Sequence, residues 1–337
     1  MRPFSWIVLV ILALRRQFYI FFPDRIYQAR VPVLVIGNIY VGGTGKTPVV
    51  IALVKALTHK GWRPGVISRG YGAKIGNTPR VGQGVLTPEQ FGDEPALIAR
   101  QSGAPVAVHP NRQKAIEALL AYAPETDLIV SDDGLQHLAL ARNLEIIVQD
   151  QREAGNGCVM PAGPLRESID RLTHVQAIVT NVAQLGLLRQ RDATRLQSEA
   201  NSGPKTTAMA LQIGLIRNLR HQQTLTFAQF EQRSCGQTLA AAAGIGAPER
   251  FFESLRSQNL VLNETLALPD HHTFTANTFT NLHADYILIT AKDAIKCEHL
   301  QDERLWVVEV DAVFSDPGFT DWLEQAIRTD YTHASPH

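Results

Sequence analysis

Residues 42–47, Gly42-Gly43-Thr44-Gly45-Lys46-Thr47, bring three glycines, a lysine and two threonine hydroxyls together within six positions. This combination suits an anion. Glycines let successive backbone N–H groups turn inward, the lysine adds a positive charge, and the threonine offers an oxygen to a metal ion. The usual spacing G-x-x-x-x-G-K-[ST] is not met, because Tyr40 stands at its first glycine position and Val41 follows. The run from Tyr40 to Thr47 is a variant of that loop. Loops of this kind hold the phosphates of ATP or GTP, with Lys46 on the β/γ-phosphates and Thr47 on Mg²⁺.

Further charged residues fit the same chemistry. The apolar run 127–131 leads into Asp132-Asp133-Gly134, carboxylates at a strand end of the kind that orders Mg²⁺ beside a phosphate loop; D-D-G is equally a good turn. Gln136 and His137 follow at once. In F-G-D-E-P, Asp93 and Glu94 stand near the start of a helix. They are either acids complementing the helix dipole, or they include a base that accepts the proton of an acceptor hydroxyl. I-S-R-G-Y-G carries Arg69 and Tyr71, H-P-N-R carries Asn111 and Arg112, and P-A-G-P-L-R-E carries Arg166. Arginines gathered on one face suit phosphate groups. L-P-D-H-H holds His271 and His272, with no third ligand at metal-site spacing.

Such residues need a frame that brings them to one edge. Short apolar strands are expected at 31–36, 65–68, 105–109, 127–131, 145–149 and 177–180. Helices are expected at 46–60, 88–101, 112–122 and 183–200. Alternation of this kind implies right-handed βαβ units and a mostly parallel sheet, whose ligands sit at the carboxyl ends of the strands. Residues 206–219 alternate apolar and polar side chains as an extended segment. A second α/β region follows, ending in a helix near 322–327 and a polar, frayed tail from 329. The expected organisation is an N-terminal segment 1–28, a core domain 29–205, a second domain 206–328 and the tail 329–337.

The composition is that of a globular chain, 45% apolar and 19% charged, with 32 basic and 32 acidic residues. Zero net charge gives no electrostatic argument for nucleic acid, and no obligate protein partner is expected. The cysteines, Cys158, Cys235 and Cys297, form no C-x-x-C pair and read as reduced thiols. The start of the chain departs from this pattern. Residues 4–14 are almost wholly apolar, followed by Arg15-Arg16-Gln17 and F-Y-I-F-F. An eleven-residue helix reaches about 16 Å, half a bilayer core of about 30 Å, and extending it buries two arginines. The expectation is an anchor lying in one leaflet with arginines at the headgroups, on the cytoplasmic face where nucleotide is available. The competing reading is a buried core helix.

These motifs, in this order, resemble the tetraacyldisaccharide 4′-kinase family of Gram-negative bacteria, over essentially the whole chain. They run from the apolar N-terminal helix through V-G-G-T-G-K-T-P, S-R-G-Y-G, G-D-E-P, H-P-N-R and D-D-G-L-Q-H. They continue with P-A-G-P-L-R-E, G-I-G-A-P-E-R-F-F, P-D-H-H and T-A-K-D-A-I-K. The resemblance implies a P-loop NTPase-like parallel sheet flanked by helices, with a second, smaller α/β domain and an N-terminal membrane-associated helix. It implies transfer of the γ-phosphate of ATP to the 4′-hydroxyl of a tetraacyldisaccharide 1-phosphate at the cytoplasmic face of the inner membrane, yielding the 4′-phosphorylated lipid A precursor. Asp93 becomes the base, with His271 supporting it as a dyad. Lys46, the 40–47 loop, Gln136, His137 and Arg166 contact the nucleotide. Thr47, Asp132, Asp133 and Glu94 serve Mg²⁺, and Arg69, Tyr71, Asn111 and Arg112 serve the lipid. Val41, Leu135 and Ala291 depart from residues common in relatives or in the wider loop class. A regulatory ATPase switch is the rival reading. It is disfavoured because Val41 replaces the loop lysine such switches use. A GTPase is disfavoured because Lys292 and Asp293 are adjacent rather than spaced as N-K-x-D.

Overall fold

A computed structural model describes residues 2–183, 185 and 203–334. The first half of the sheet comprises β1 (Val33–Gly37), β2 (Pro64–Ser68), β3 (Arg80–Gly82), β4 (Val106–Val108), β5 (Leu128–Asp132), β6 (Leu144–Asp150) and β7 (Ala177–Asn181). The long β8 (Lys205–Asn218) follows. The second half comprises β9 (Thr224–Thr226), β10 (Leu239–Ala243), β11 (Glu264–Ala267), β12 (Tyr286–Thr290) and β13 (Leu305–Phe314). The helices are α1 (Arg2–Phe21), α2 (Lys46–His59), α3 (Pro88–Phe91), α4 (Asp93–Ser102), α5 (Arg112–Tyr122), α6 (Phe227–Ser234), α7 (Pro248–Arg256), α8 (Ala291–Cys297) and α9 (Phe319–Ala334).

The strands form one continuous sheet in the order β11-β10-β12-β13-β8-β7-β6-β1-β5-β2-β4-β3, with β9 on β8. Pairing is parallel except for β3 on β4, β9 on β8 and β13 on β8. Strand β8 belongs to both halves. Its first residues pair with β7 in parallel, and its remainder pairs with β13 in antiparallel fashion. Because β13 runs against β8, the strands of the second half point back toward the first. The carboxyl ends of β1, β2 and β5 therefore face the carboxyl ends of β10, β11 and β12 across a cleft.

Strands buried on both faces explain the near-continuous apolar runs seen in the sequence. Successive residues of β1 enter opposite layers. Leu34 and Ile36 pack with α2 and α4, whereas Val33 and Val35 pack with α5. Helix α2 buries Val49, Val50, Ile51, Leu53, Val54 and Leu57, a broad apolar face at helical spacing. In β10 the alternation recurs with alanines, Ala240 and Ala242 on one face and Ala241 and Ala243 on the other.

Several sequence expectations change. The helix expected at 88–101 is broken at Gly92, whose φ of +91° suits glycine, so Asp93 opens a new helix. The frayed tail expected from 329 is helical through Ala334. The helix expected at 183–200 falls outside the described residues, apart from 183 and 185. Helix α1 runs unbroken through the arginine pair for 20 residues, about 30 Å. It is not a core helix: Trp6, Val10, Leu14 and Phe21 are exposed, and Ser5 alone of its residues is buried. Ser5 ties the helix down, donating to Val159 O at 2.8 Å and accepting from Ala162 N at 3.0 Å.

Candidate active site

The glycine loop leaves β1 at Gly37 and enters α2 at Lys46. Gly42 and Gly45 adopt φ of +97° and +88°, and no side chain caps α2, so its first N–H groups face the loop. The loop is framed from below. Asn38 Nδ2 donates to Gly42 O at 3.3 Å and Thr44 Oγ1 at 3.2 Å, while Asn181 Nδ2 donates to Thr44 O at 3.1 Å. A Cβ on Gly45 would lie 2.4 Å from Asn181 Nδ2, a side-chain end that can shift, so it is the φ of +88° that calls for glycine there. Tyr40 is buried with its hydroxyl donating to Gln149 Oε1 at 3.0 Å, and its phenol is pushed up to about 12 by burial and then by Asp150. Its backbone, rather than its ring, borders the loop.

Register places the paired carboxylates beside this loop, since Asp132 sits opposite Ile36. Asp133, in a left-handed conformation with φ of +50°, receives Lys46 on one oxygen and Arg166 Nη1 on the other at 3.2 Å. Burial alone would push this carboxyl up, but Lys46 and then Arg166 hold it below the usual range. Asp132 is the opposite case. It is buried, accepts from Ser68 Oγ at 3.1 Å through Oδ2, and its Oδ1 has no hydrogen-bond partner. Burial and then Glu94 push it up to about 7 against the pull of Lys46.

The second half of the sheet completes the cleft. His271 follows β11 with φ of +61°, and its Nδ1 lies 3.0 Å from Asp93 Oδ2. Asp133 and His271 are two of five non-glycine residues with positive φ among the described residues, and both stand in this cleft. Such conformations gather at functional sites. The Tyr71 ring centroid is 5.5 Å from that of His271. Helix α8 adds Lys292, 3.7 Å from Glu94, and Lys296, 3.7 Å from Asp93. Nearer the glycine loop, Asp150 accepts from Arg152 and from Arg250 of α7, the latter at 3.1 Å.

A glycine-rich loop, paired carboxylates and a facing Asp–His pair are thus set between two halves of one sheet. The model of the tetraacyldisaccharide-1-P 4′-kinase family, LpxK, matches residues 1–328. The chain belongs to this family. It is similar to the tetraacyldisaccharide 4′-kinase of Bordetella petrii, 54% identical over 97% of this chain and 91% of the relative. That of Bordetella parapertussis is 50% identical over 97% and 92%. LpxK from Aquifex aeolicus, in a crystal structure with ATP, shares the fold, with a TM-score of 0.79 over 98% of each chain at 24% identity. The activity is that of an ATP-dependent tetraacyldisaccharide 4′-kinase of lipid A biosynthesis.

Within this kinase fold, Lys46, Asp133 and Arg166 are in contact, as are Asp93 and His271. Gln136 borders the loop, donating to Glu167 at 2.6 Å and Asn38 O at 3.3 Å. His137 is half-buried, and burial, then Arg112, Arg142 and Arg15, push it down to about 4. Arg112 is buried, donates to His109 O at 3.0 Å and leaves Nε without a hydrogen-bond partner. Burial lowers its pKa and Arg69 adds to this, while Asp132 and Asp133 act to raise it. Asn111 caps α5 by accepting from Lys114 N at 3.2 Å. No three His, Cys, Asp or Glu side chains form a metal cage among the described residues. Mg²⁺ carried on phosphates needs just one or two protein carboxylates, and the orphaned Oδ1 of Asp132 fits that need. Sequence reasoning gave no site role to Asn38, Asn181, Arg250, Lys292 and Lys296. The two lysines had a signal, an i, i+4 pair in T-A-K-D-A-I-K; the others act through tertiary contacts that no local pattern carries.

Proposed function

We propose that this kinase runs a direct, in-line transfer with Asp93 as the general base. The acceptor 4′-hydroxyl gives its proton to Asp93 as its oxygen bonds to the γ-phosphorus, and the bond from that phosphorus to the β-phosphate oxygen breaks to release ADP. His271 holds the carboxylate through Oδ2. Lys46 and the N–H groups of the 42–47 loop position the β- and γ-phosphates, and Arg166 adds charge at the same end. Thr47, Asp132 and Glu94 would hold Mg²⁺, with Asp133 beside them. The ion, when bound, neutralises charge on the phosphate oxygens. Catalysis of this type rests on positioning and charge rather than on covalent chemistry.

The observation that carries this reading is the 3.0 Å Asp93–His271 contact, made between opposite halves of the sheet on the edge where Lys46 and Asp132 also end. Gln136 and His137 border the nucleotide, and Arg69, Tyr71, Asn111 and Arg112 line the lipid side. The core and the second half act as two domains divided near residue 205 that close on the nucleotide. Helix α1 keeps the enzyme on the cytoplasmic leaflet, because extracting a tetraacylated lipid costs about 0.8 kcal/mol per methylene.

The test is transfer of labelled γ-phosphate from Mg·ATP to a tetraacyl glucosamine disaccharide 1-phosphate in mixed micelles. Lipid-dependent product is expected, with kcat about 10²–10⁴-fold lower for Asp93→Asn. An effect of that variant confined to KM would reassign Asp93 to binding. Hydrolysis of ATP that yields no labelled lipid would instead identify a switch ATPase.

A further inference from the structure

Helix α8, the T-A-K-D-A-I-K segment, carries two lysines one turn apart. Both ammonium groups end beside consecutive residues of α4. Lys292 Nζ lies 3.7 Å from Glu94 Oε1 and 3.3 Å from Asp270 Oδ1. Lys296 Nζ lies 3.7 Å from Asp93 Oδ2 and 3.2 Å from Asp293 Oδ1. The Lys296 side chain is 11% exposed, and its ammonium finds no hydrogen-bond geometry, resting instead 5.1 Å over the Phe274 ring. A buried ammonium without hydrogen bonds is costly and needs a reason.

Neutralising the buried Asp293, whose Oδ1 has no hydrogen-bond partner, is one reason, and the rest of that carboxylate is held by the fold. Its Oδ2 accepts from Gly244 N at 3.0 Å and from Thr290 Oγ1 at 2.7 Å, which pins α8 to the end of β10. Pinned there, α8 aims Lys296 at Asp93. His271 and Lys296 meet the same oxygen, Oδ2, from the second half of the sheet. Two contacts on one oxygen fix the rotation of a carboxylate and leave the other oxygen for the acceptor.

We infer that Lys296 is a positioning residue for the phosphoryl transfer, holding Asp93 through Oδ2 so that Oδ1 faces the acceptor hydroxyl. This rests on the reading of Asp93 as the base. Misplacing a reacting group by about 1 Å costs as much as 10²-fold. Lys296→Met should therefore lower kcat about 10–10²-fold, with KM for Mg·ATP and for lipid within about twofold. Lys296→Arg should restore part of the loss.

Because Lys296→Met strands Asp293 in the core, the deciding variant is Asp293→Asn/Lys296→Met, which removes both charges. The thermal midpoint should return toward wild type in this pair while kcat stays low. In an Asp93→Asn background, Lys296→Met should cost almost nothing further, since the lysine acts through that carboxylate. Recovery of kcat along with stability in the pair, or a full additional loss in the Asp93→Asn background, would overturn the inference. An active Asp93→Asn enzyme would defeat the base reading itself. An inactive Asp93→Asn beside a fully active Lys296→Met would defeat the inference about the lysine alone.

Discussion

Two ion pairs on Asp133 set the resting charge of the phosphate loop. Lys46 and Arg166 each take one of its oxygens, and in the proposed mechanism nucleotide phosphates would compete with that carboxylate for both cations. Lys46→Ala should reduce transfer by at least about 10²–10³-fold, while unfolding changes little because Asp133 keeps Arg166 and is one-third exposed. Wild-type rates in the labelled-phosphate assay would end the role given to this loop. His137 offers a second reading through pH. Its folded-state value is near 4 against an ordinary 6.5, so between these the native state binds fewer protons than the unfolded chain. The stability due to neutral His137 is complete above pH 6.5 and falls as pH drops toward 4. Asp132, raised to about 7, acts in the opposite sense, gaining stability as pH falls through 7. The measurement is thus the difference between wild type and His137→Gln in urea unfolding at pH 7.5 and 5, values on either side of about 6.5. A gap that shrinks at pH 5 is expected; a constant gap would show that His137 does not titrate in this window.

At the level of elements, one glycine decides where Asp93 sits. A continuous helix through 88–101 satisfies the apolar spacing, and the local marks of its interruption are Gly92 and Pro95, a residue suited to a first helical turn rather than a helix interior. In the structure Gly92 turns with φ of +91°, and a Cβ there would lie 2.6 Å from Tyr71 O, a backbone atom. The break starts α4 at Asp93 and aims its first turn at the cleft. Gly92→Ala should destabilise by about 1–3 kcal/mol and also lower kcat. Gly61→Ala is the control, because Gly61 has φ of +90° with open space around it. If the two cost the same in thermal unfolding, the contact with Tyr71 O carries no weight. Elsewhere the strand ends were legible because parallel strands are buried runs closed by polar residues, as with Asp132-Asp133 after β5. The partners that cross the cleft were not. His271 and Asp93 are 178 residues apart, and without family resemblance no periodicity couples them. Lys292 and Lys296 were visible as a spacing but had no visible target until α8 met α4.

For the molecule as a whole, the antiparallel step between β8 and β13 turns two parallel half-sheets mouth to mouth, and α1 adds a helix with an exposed apolar face. The helix is joined to the site's own scaffolding. Ser5 bonds the 159–162 turn that leads to Arg166, Val8 packs against the core layer of β1, and Arg15 is close enough to depress the His137 pKa. Deleting residues 1–28 therefore risks the arginine as well as the anchor. A cleaner test changes the far face of the helix. Trp6, Val10 and Leu14 recur every four residues and are 73%, 57% and 64% exposed, while Ser5 and Val8 face the protein. Each loses about 1.5–3 kcal/mol of burial if replaced by a polar residue at a membrane surface. Trp6→Ser/Val10→Ser/Leu14→Ser should thus weaken sedimentation with anionic vesicles by more than tenfold. KM for Mg·ATP should stay within about twofold and KM for lipid should rise, because substrate delivery and nucleotide binding use different surfaces. Unchanged vesicle binding would mean that the exposed face of α1 is not the membrane contact.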